Sequence, residues 1–322
     1  MRIVIYGAGA VGGVIGGRLF QAGHDVTLIA RGEHLRVLQE RGLTLASPLG
    51  SDTLPVPAVG GPAEAGLAAG DAVVLAMKSQ HTEAALADLV RAAPPGVAVV
   101  CAQNGVDNER RALRSFSDVY GVSVMLPATH LEPGVVLSHS AGLTGLLDLG
   151  RYPSGVDDTA RALAEAFSEA TFASEARADI MRWKYRKLLL NLGNAVEAVC
   201  GGEARRGPLY GLVMEEGAAA LAAAGIDVVS AAEDQERRGD HLRLRPIEGA
   251  RREGGSSWQS LARGQGSIEA DYLNGEIVLL GRLHGVPTPA NELFQQLAGQ
   301  FAAEGRPPGS LTADEIMARL GG

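Results

Sequence analysis

Short apolar runs alternate with stretches of helical periodicity from the first residues onward. Runs at 2–6, 25–30, 72–77 and 97–101 are each followed by a turn and by a segment whose apolar or small residues recur at helical spacing, at 10–22, 33–41, 81–92 and 108–115. Strands alternating with helices in this way predict a doubly wound parallel sheet. After 119 the pattern changes to extended segments at 119–129, 135–139 and 143–149, punctuated by Pro133-Gly134 and Ala141-Gly142. These read as a hairpin-rich edge of the same sheet. A helix over 156–170 and an extended piece at 171–173 then lead out of the first domain, with the boundary near Ser174.

From Ala176 onward strand signals nearly vanish and helical periodicity takes over, at 179–199, 208–224, 228–238, 268–284 and 290–305. The expected fold class is therefore α/β, an N-terminal Rossmann doubly wound parallel sheet over 1–174 joined to a C-terminal all-α domain over 175–322. The stretch 248–257, rich in Gly, Arg and Ser, reads as a loop between helices, a place where function often resides.

Length and charge narrow the function classes. A chain of 322 residues exceeds a single core, in keeping with two domains. The formal net charge is −8, and the basic residues are scattered apart from 182–187 and a loose cluster over 237–252, which argues against a nucleic-acid surface. Cys101 and Cys200 stand far apart with no His or Cys at ligand spacing, so reduced thiols and no metal are expected. The chain enters an apolar strand at Ile3 with no leader pattern and has no run of about 20 apolar residues, so a cytoplasmic protein without a membrane span is expected.

Gly7-Ala8-Gly9-Ala10-Val11-Gly12 follows the first strand and opens a helix, the context in which a GxGxxG pattern means dinucleotide binding. Gly7 permits the tight turn, Gly9 lets the backbone approach the pyrophosphate, and Gly12 lets helix pack on strand, with the helix N-terminus facing the phosphates. The second strand ends Leu28-Ile29-Ala30-Arg31, with no carboxylate until Glu33. A ribose 2′-hydroxyl is usually held by an acid at that place and a 2′-phosphate by a cation, so Arg31 favours NADPH over NADH. Arg31 as an ordinary surface arginine stays open.

Three further pieces complete a pattern: Ala76-Met77-Lys78-Ser79 after one strand, Gln103-Asn104-Gly105 after the next, and Lys187-Leu188-Leu189-Leu190-Asn191 opening the helical domain. With the glycine loop they resemble the ketopantoate reductase (2-dehydropantoate 2-reductase) family. Ser256-Ser257-Trp258-Gln259 and Glu269-Ala270-Asp271-Tyr272-Leu273-Asn274-Gly275 resemble its second signature, so the likeness covers nearly the whole chain. The resemblance implies hydride transfer between NADPH and the ketone of a branched 2-keto acid, ketopantoate, without a metal. It implies Lys187 as catalytic lysine, Asn104 beside the nicotinamide, Lys78 as a second active-site lysine, Asn191 and Ser257 on the substrate, and Glu269 near Lys187 and the cofactor ribose.

Chemistry supports those roles. Hydride addition builds negative charge on the ketone oxygen, which a cationic proton donor such as Lys187 stabilises. Lys187 and Asn191, four apart, share a helix face, and Asn194 lies near it. The competing reading of 182–187 is a solvated basic stripe. Lys78 and Asn104 fall just beyond the carboxyl ends of parallel strands, where open α/β sheets bind ligands. Ser257 offers a hydroxyl on a loop able to close, with Ser256 as the alternative; either serine is also a candidate helix cap, and Glu269 a candidate solvated first-turn acid.

Departures from the family concern the substrate. A second asparagine usual eight residues after the lysine is Ala195 here, Asn194 stands one residue early, the proline and threonine that follow in the family are absent from 196–199, and Leu261 and Gln265 replace an acid and an arginine. A reductase of another small 2-keto acid or ketone is the alternative within enzymes, and a regulatory protein that holds NADPH without turnover is the alternative outside them. A homodimer is expected by analogy with other dehydrogenases.

Overall fold

The computed structural model describes residues 1–130, 132–247, 254–264 and 266–321. They form two compact units. The first comprises Met1–Gln103, Asp107–Lys184 and the described part of 231–252; the second comprises Asn104–Val106, Tyr185–Ser230 and the described part of 253–322.

The first unit opens with β1 (Ile3–Tyr6), α1 (Ala10–Gln21), β2 (Val26–Ile29) and α2 (Gly32–Arg41). A hairpin of β3 (Leu43–Ser47) and β4 (Gly50–Leu54) follows, then β5 (Ala58–Val59) and the single turn α3 (Pro62–Ala65). Next come β6 (Ala72–Leu75), α4 (Thr82–Ala92), β7 (Ala98–Cys101), α5 (Asn108–Ala112), β8 (Val119–Met125), β9 (Ala128–Thr129), β10 (Val135–Ser138), β11 (Gly145–Arg151), α6 (Asp158–Glu169) and β12 (Phe172–Ala173). The main sheet has eight strands in the order β12-β11-β8-β7-β6-β1-β2-β5. Its centre, β7-β6-β1-β2, is parallel, and β1, β6 and β7 are buried throughout. Burial on both faces is why these strands read as continuous apolar runs rather than alternating ones.

The edge expected beyond 119 is only partly part of this sheet. β8 and β11 pair antiparallel within it, but β9 and β10 belong to a second, four-stranded sheet, β4-β3-β10-β9. The hairpin β3–β4 exposes one face and buries Leu43 and Leu45 on the other, and that apolar face needs a cover. β10 joins β3 in parallel, and its Val136 packs with Leu43 and Leu45 in the same core as Val14 and Ile15 of α1.

The remaining helices are α7 (Ile180–Cys200), α8 (Pro208–Ala223), α9 (Ala231–Arg238), α10 (Ser256–Ala262), α11 (Asn274–His284), α12 (Pro289–Glu304) and α13 (Ala313–Leu320). Compared with the expected division at Ser174, the first unit runs on to Lys184 inside α7 and takes back the chain from Ala231. The helix expected at 228–238 thus belongs with the sheet, because Arg237 forks onto buried Asp148 of β11 (Nε–Oδ2 2.8 Å, Nη2–Oδ1 2.6 Å). The following segment adds backbone bonds between 139–143 and 241–245.

In the second unit α8, α11 and α12 pack around a buried polar knot. Asn274 donates to Leu192 O and Asn291 Oδ1, and Asn291 donates to Val213 O and Glu216. Glu216 in turn accepts the amides of Ala290 and Asn291 at the start of α12. Asn274 of the second signature is therefore a packing residue.

Candidate active site

At the end of β1 the backbone turns through Gly7 at φ +103°, a region that L side chains rarely adopt, and the amides of Gly7 and Ala8 donate to Ile29 O. A Cβ at Gly12 would lie 2.2 Å from Gly7 O, so α1 can sit this close to the loop only with glycine there. A Cβ at Gly9 would meet nothing within 4 Å. Open space in front of Gly9, and the first-turn amides of Ala10, Val11 and Gly12, which no N-cap side chain covers, make a cradle that fits a pyrophosphate. The first turn of α1 carries no acid that would repel one.

His34 supports this loop, and sequence reasoning passed it over. Its Nδ1 accepts the Gly134 amide at 2.8 Å, which leaves the proton on Nε2 to donate to Ala8 O at 2.7 Å. Burial pushes its pKa down, in keeping with a neutral ring. A histidine five residues past β2 offers no signal in sequence, because Gly134 lies a hundred positions away.

Arg31 stands at the N-cap of α2 with its side chain 66% exposed. Its Nη2 donates to the Tyr6 hydroxyl at 3.1 Å and to Asp88 of α4 at 3.3 Å. Glu33, the nearest acid in sequence, pairs with Arg36 instead; the acid that meets Arg31 comes from α4. Lys78 is half-buried at the head of the 3-10 turn Ser79–His81 beyond β6, as its position in the sequence predicts.

A buried network stitches the strand-end loops together. Gln103 donates to Met77 O and to Thr82 Oγ1, Thr82 donates to Asn108, and Asn108 donates to Ser79 Oγ. Neither Thr82 nor Asn108 stood out in the sequence. Lys184 is a larger surprise, since the basic stripe at 182–187 breaks up here: its side chain is 2% exposed and lies 2.7 Å from a Glu109 carboxylate that is 0% exposed. Burial pushes the pKa of Glu109 up, against the pull of Lys184, and pushes that of the neighbouring Cys101 thiol well up.

Within the second unit, Asn191 of α7 donates to Asn104 Oδ1 at 3.0 Å, joining two of the expected site residues directly. Gly105 follows at φ +80°, and a Cβ there would lie 3.1 Å from Tyr272 O. That carbonyl belongs to the 3-10 turn Glu269–Tyr272, whose first residue, Glu269, is buried rather than solvated. Lys187 lies one turn before Asn191 on α7 and is half-buried.

Ser257 is not on an open loop. It is a buried residue in the first turn of α10, where Gly255 is the N-cap and no side chain caps the helix. Asn194 is buried too. Of the altered stretch beyond it, Ala195, Val196, Ala198 and Val199 are core residues, so the polar wall is made by Asn194 and Glu197. Glu197 accepts the Gly255 amide at 3.0 Å and pairs with Arg205 at 2.9 Å, which fixes the entry to α10. Leu261 packs in the core, while Gln265 and residues 248–253 of the expected loop lie outside the described residues.

Comparison with known proteins shows the family and the fold. The family model described as ketopantoate reductase PanE/ApbA matches residues 3–154, and that of its C-terminal domain matches 179–302. The 2-dehydropantoate 2-reductase of Pyrococcus horikoshii is 30% identical over 311 residues, covering 92% of this chain and 96% of the relative. A crystal structure of a PanE/ApbA family ketopantoate reductase from Ralstonia eutropha JMP134 superposes with a TM-score of 0.79 at 29% identity, over 95% of this chain and all (100%) of that one. A D-mandelate dehydrogenase solved with NADH and anilino(oxo)acetate shares the fold at a TM-score of 0.79 and 23% identity, over 95% and 99% of the two chains. Among the described residues no helix is long and apolar enough to cross a membrane.

Proposed function

This chain belongs to the ketopantoate reductase family of oxidoreductases acting on CH–OH donors, and from that premise we propose that it reduces ketopantoate to pantoate with NADPH. One observation carries the reading: the bond from Asn191 to Asn104 Oδ1 brings the residue just past β7 onto the α7 face that also bears Lys187. The glycine cradle of Gly7, Ala8, Gly9, Ala10, Val11 and Gly12 would hold the pyrophosphate, with Arg31 on a ribose 2′-phosphate and Lys78, Asn104 and Glu269 along the remainder. A reduced nicotinamide bound there supplies the hydride for the carbonyl carbon.

The chain's own residues do the rest. Lys187 places a cation and a proton beside the carbonyl oxygen as charge builds on it. Asn191, whose amide is already committed to Asn104, keeps its own carbonyl oxygen for a substrate hydroxyl. Ser257 and Asn194 are the polar groups for the carboxylate. Burial of Asn191, Asn194, Ser257 and Glu269 excludes water from these contacts, which raises the worth of each hydrogen bond. Pairing of Glu197 with Arg205 leaves the altered wall without an uncompensated charge facing an anionic substrate. Because core residues fill 195–199 apart from Glu197, a different 2-keto acid is the second reading.

The test is NADPH oxidation with a panel of 2-keto acids, run beside NADH and with Arg31→Ala. Ketopantoate is expected to give the highest kcat/KM. NADPH is expected to be preferred over NADH by roughly 10- to 150-fold, since a charged hydrogen bond to phosphate is worth about 1.5–3 kcal/mol, and Arg31→Ala abolishes the preference. Another keto acid winning by orders of magnitude sinks the substrate; no oxidation with any of them sinks the reductase.

A further inference from the structure

The chain leaves the first unit after Gln103 and again after Lys184, and these two exit residues are bonded to each other. The Lys184 ammonium donates to Gln103 O at 3.0 Å and to Val122 O of β8 at 3.1 Å, and it pairs with Glu109 Oε1 of α5 at 2.7 Å. Two carbonyls accept N–H groups of the ammonium, and the Glu109 carboxylate balances its charge. The residue after Gln103 is Asn104, and three residues after Lys184 comes Lys187. Lys184, Lys187 and Asn191 stand at spacings of three and four on one uninterrupted helix and so share a face.

We propose that the buried Lys184–Glu109 pair is a positioning device for the reaction: it fixes the Gln103 carbonyl, and through it the placement of Asn104 relative to the helix face that carries Lys187. A buried ion pair is a poor way to fill space, since apolar side chains of similar volume do so at equal or better stability. What apolar side chains cannot do is hold the Gln103 and Val122 carbonyls in place. Glu109 keeps the ammonium where it is, and Asn191 takes hold of the next residue's side chain, so α7 grips consecutive residues of one turn at points two helical turns apart. Lys184 acts through Gln103 and is not itself a group that touches substrate.

This proposal rests on the reductase reading, and its test separates the two. The double variant Lys184→Met with Glu109→Leu replaces the pair by apolar groups of similar size. It is expected to fold, to bind NADPH within about threefold of wild type, and to lose roughly 10- to 100-fold in kcat, the scale of a misplaced reacting group, with a smaller change in KM. Amide exchange at 104–106, measured by mass spectrometry without any ligand, is expected to rise. Glu109→Gln keeps an acceptor for the ammonium and is expected to restore most of kcat.

A folded double variant whose kcat stays within about twofold of wild type overturns the proposal, as does unchanged exchange at 104–106. If it does not fold, Lys184→Met alone, with Glu109 buried as the neutral acid, takes the same readouts; if neither folds, the pair is merely structural and the proposal fails. A wild-type protein that turns over no 2-keto acid sinks the reductase reading instead, and the exchange measurement then decides whether the pair holds the turn.

Discussion

A methyl group at Gly9 and one at Gly12 test whether the glycine loop is a phosphate cradle or only a tight turn. Gly9 sits at φ −73°, ψ −154°, which any L residue adopts, and its Cβ position is open. In Gly9→Ala the stiffer unfolded chain contributes about 0.4–1 kcal/mol and the poorer N-cap costs a similar amount, so folding stability stays within about 0.5 kcal/mol of wild type. The new methyl occupies the approach to the pyrophosphate. Crowding of that kind costs about 1–3 kcal/mol, which weakens NADPH binding roughly 5- to 150-fold. Gly12→Ala does the reverse: its methyl meets Gly7 O at 2.2 Å and both Ala76 Cβ and Ile5 Cγ2 at 2.9 Å. A backbone oxygen cannot rotate away, so the cost lies near the upper end, about 3 kcal/mol, or a drop of roughly 6–12 °C in Tm for a unit of this size. Fluorescence titration with NADPH and thermal unfolding of both variants supply the readouts. Gly9→Ala binding as tightly as wild type, or losing as much Tm as Gly12→Ala, refutes the cradle.

Two further predictions concern the scaffold. His34 has its pKa lowered by burial, so the folded state binds fewer protons than the unfolded one; its contribution to stability is present above the unfolded pKa and fades as pH falls through the lower folded value. Chemical denaturation across that range is expected to show an acid-side loss of stability that His34→Gln lacks, and identical profiles contradict the neutral-ring role. Arg237→Ala removes the guanidinium fork on buried Asp148, leaving the single bond from Arg177 Nε at 2.8 Å. A loss of about 2 kcal/mol, read as roughly 4–8 °C in Tm, is expected, and an unchanged Tm means that α9 is not anchored there.

The parts of this molecule governed by local patterning were legible in the sequence. Buried parallel strands and their crossover helices announce themselves by run length and period, and the positions of Gly7, Arg31, Lys78 and Asn104 follow from strand ends. The alternation Leu43-Thr44-Leu45 was also there to be read as a strand, but short β-segments beside glycine turns compete poorly with the stronger βα signal. Long-range pairing left no such trace. Nothing in Arg237 distinguishes it from its basic neighbours until Asp148 is seen beneath it, and Lys184 looks like one more residue of a solvated stripe until its bonds to Gln103 O, past β7, and to Val122 O of β8 are seen. The resemblance located Ser257 and Glu269, yet their burial on a helix and in a 3-10 turn comes only from packing.

If Lys187 delivers the proton in reduction of a 2-keto acid, single-turnover NADPH oxidation with ketopantoate separates wild type from Lys187→Ala. Cofactor binding within about threefold of wild type is expected in the variant, with a rate lower by roughly 10²- to 10⁴-fold, the usual worth of a positioned acid. A variant that oxidises NADPH at the wild-type rate contradicts that role.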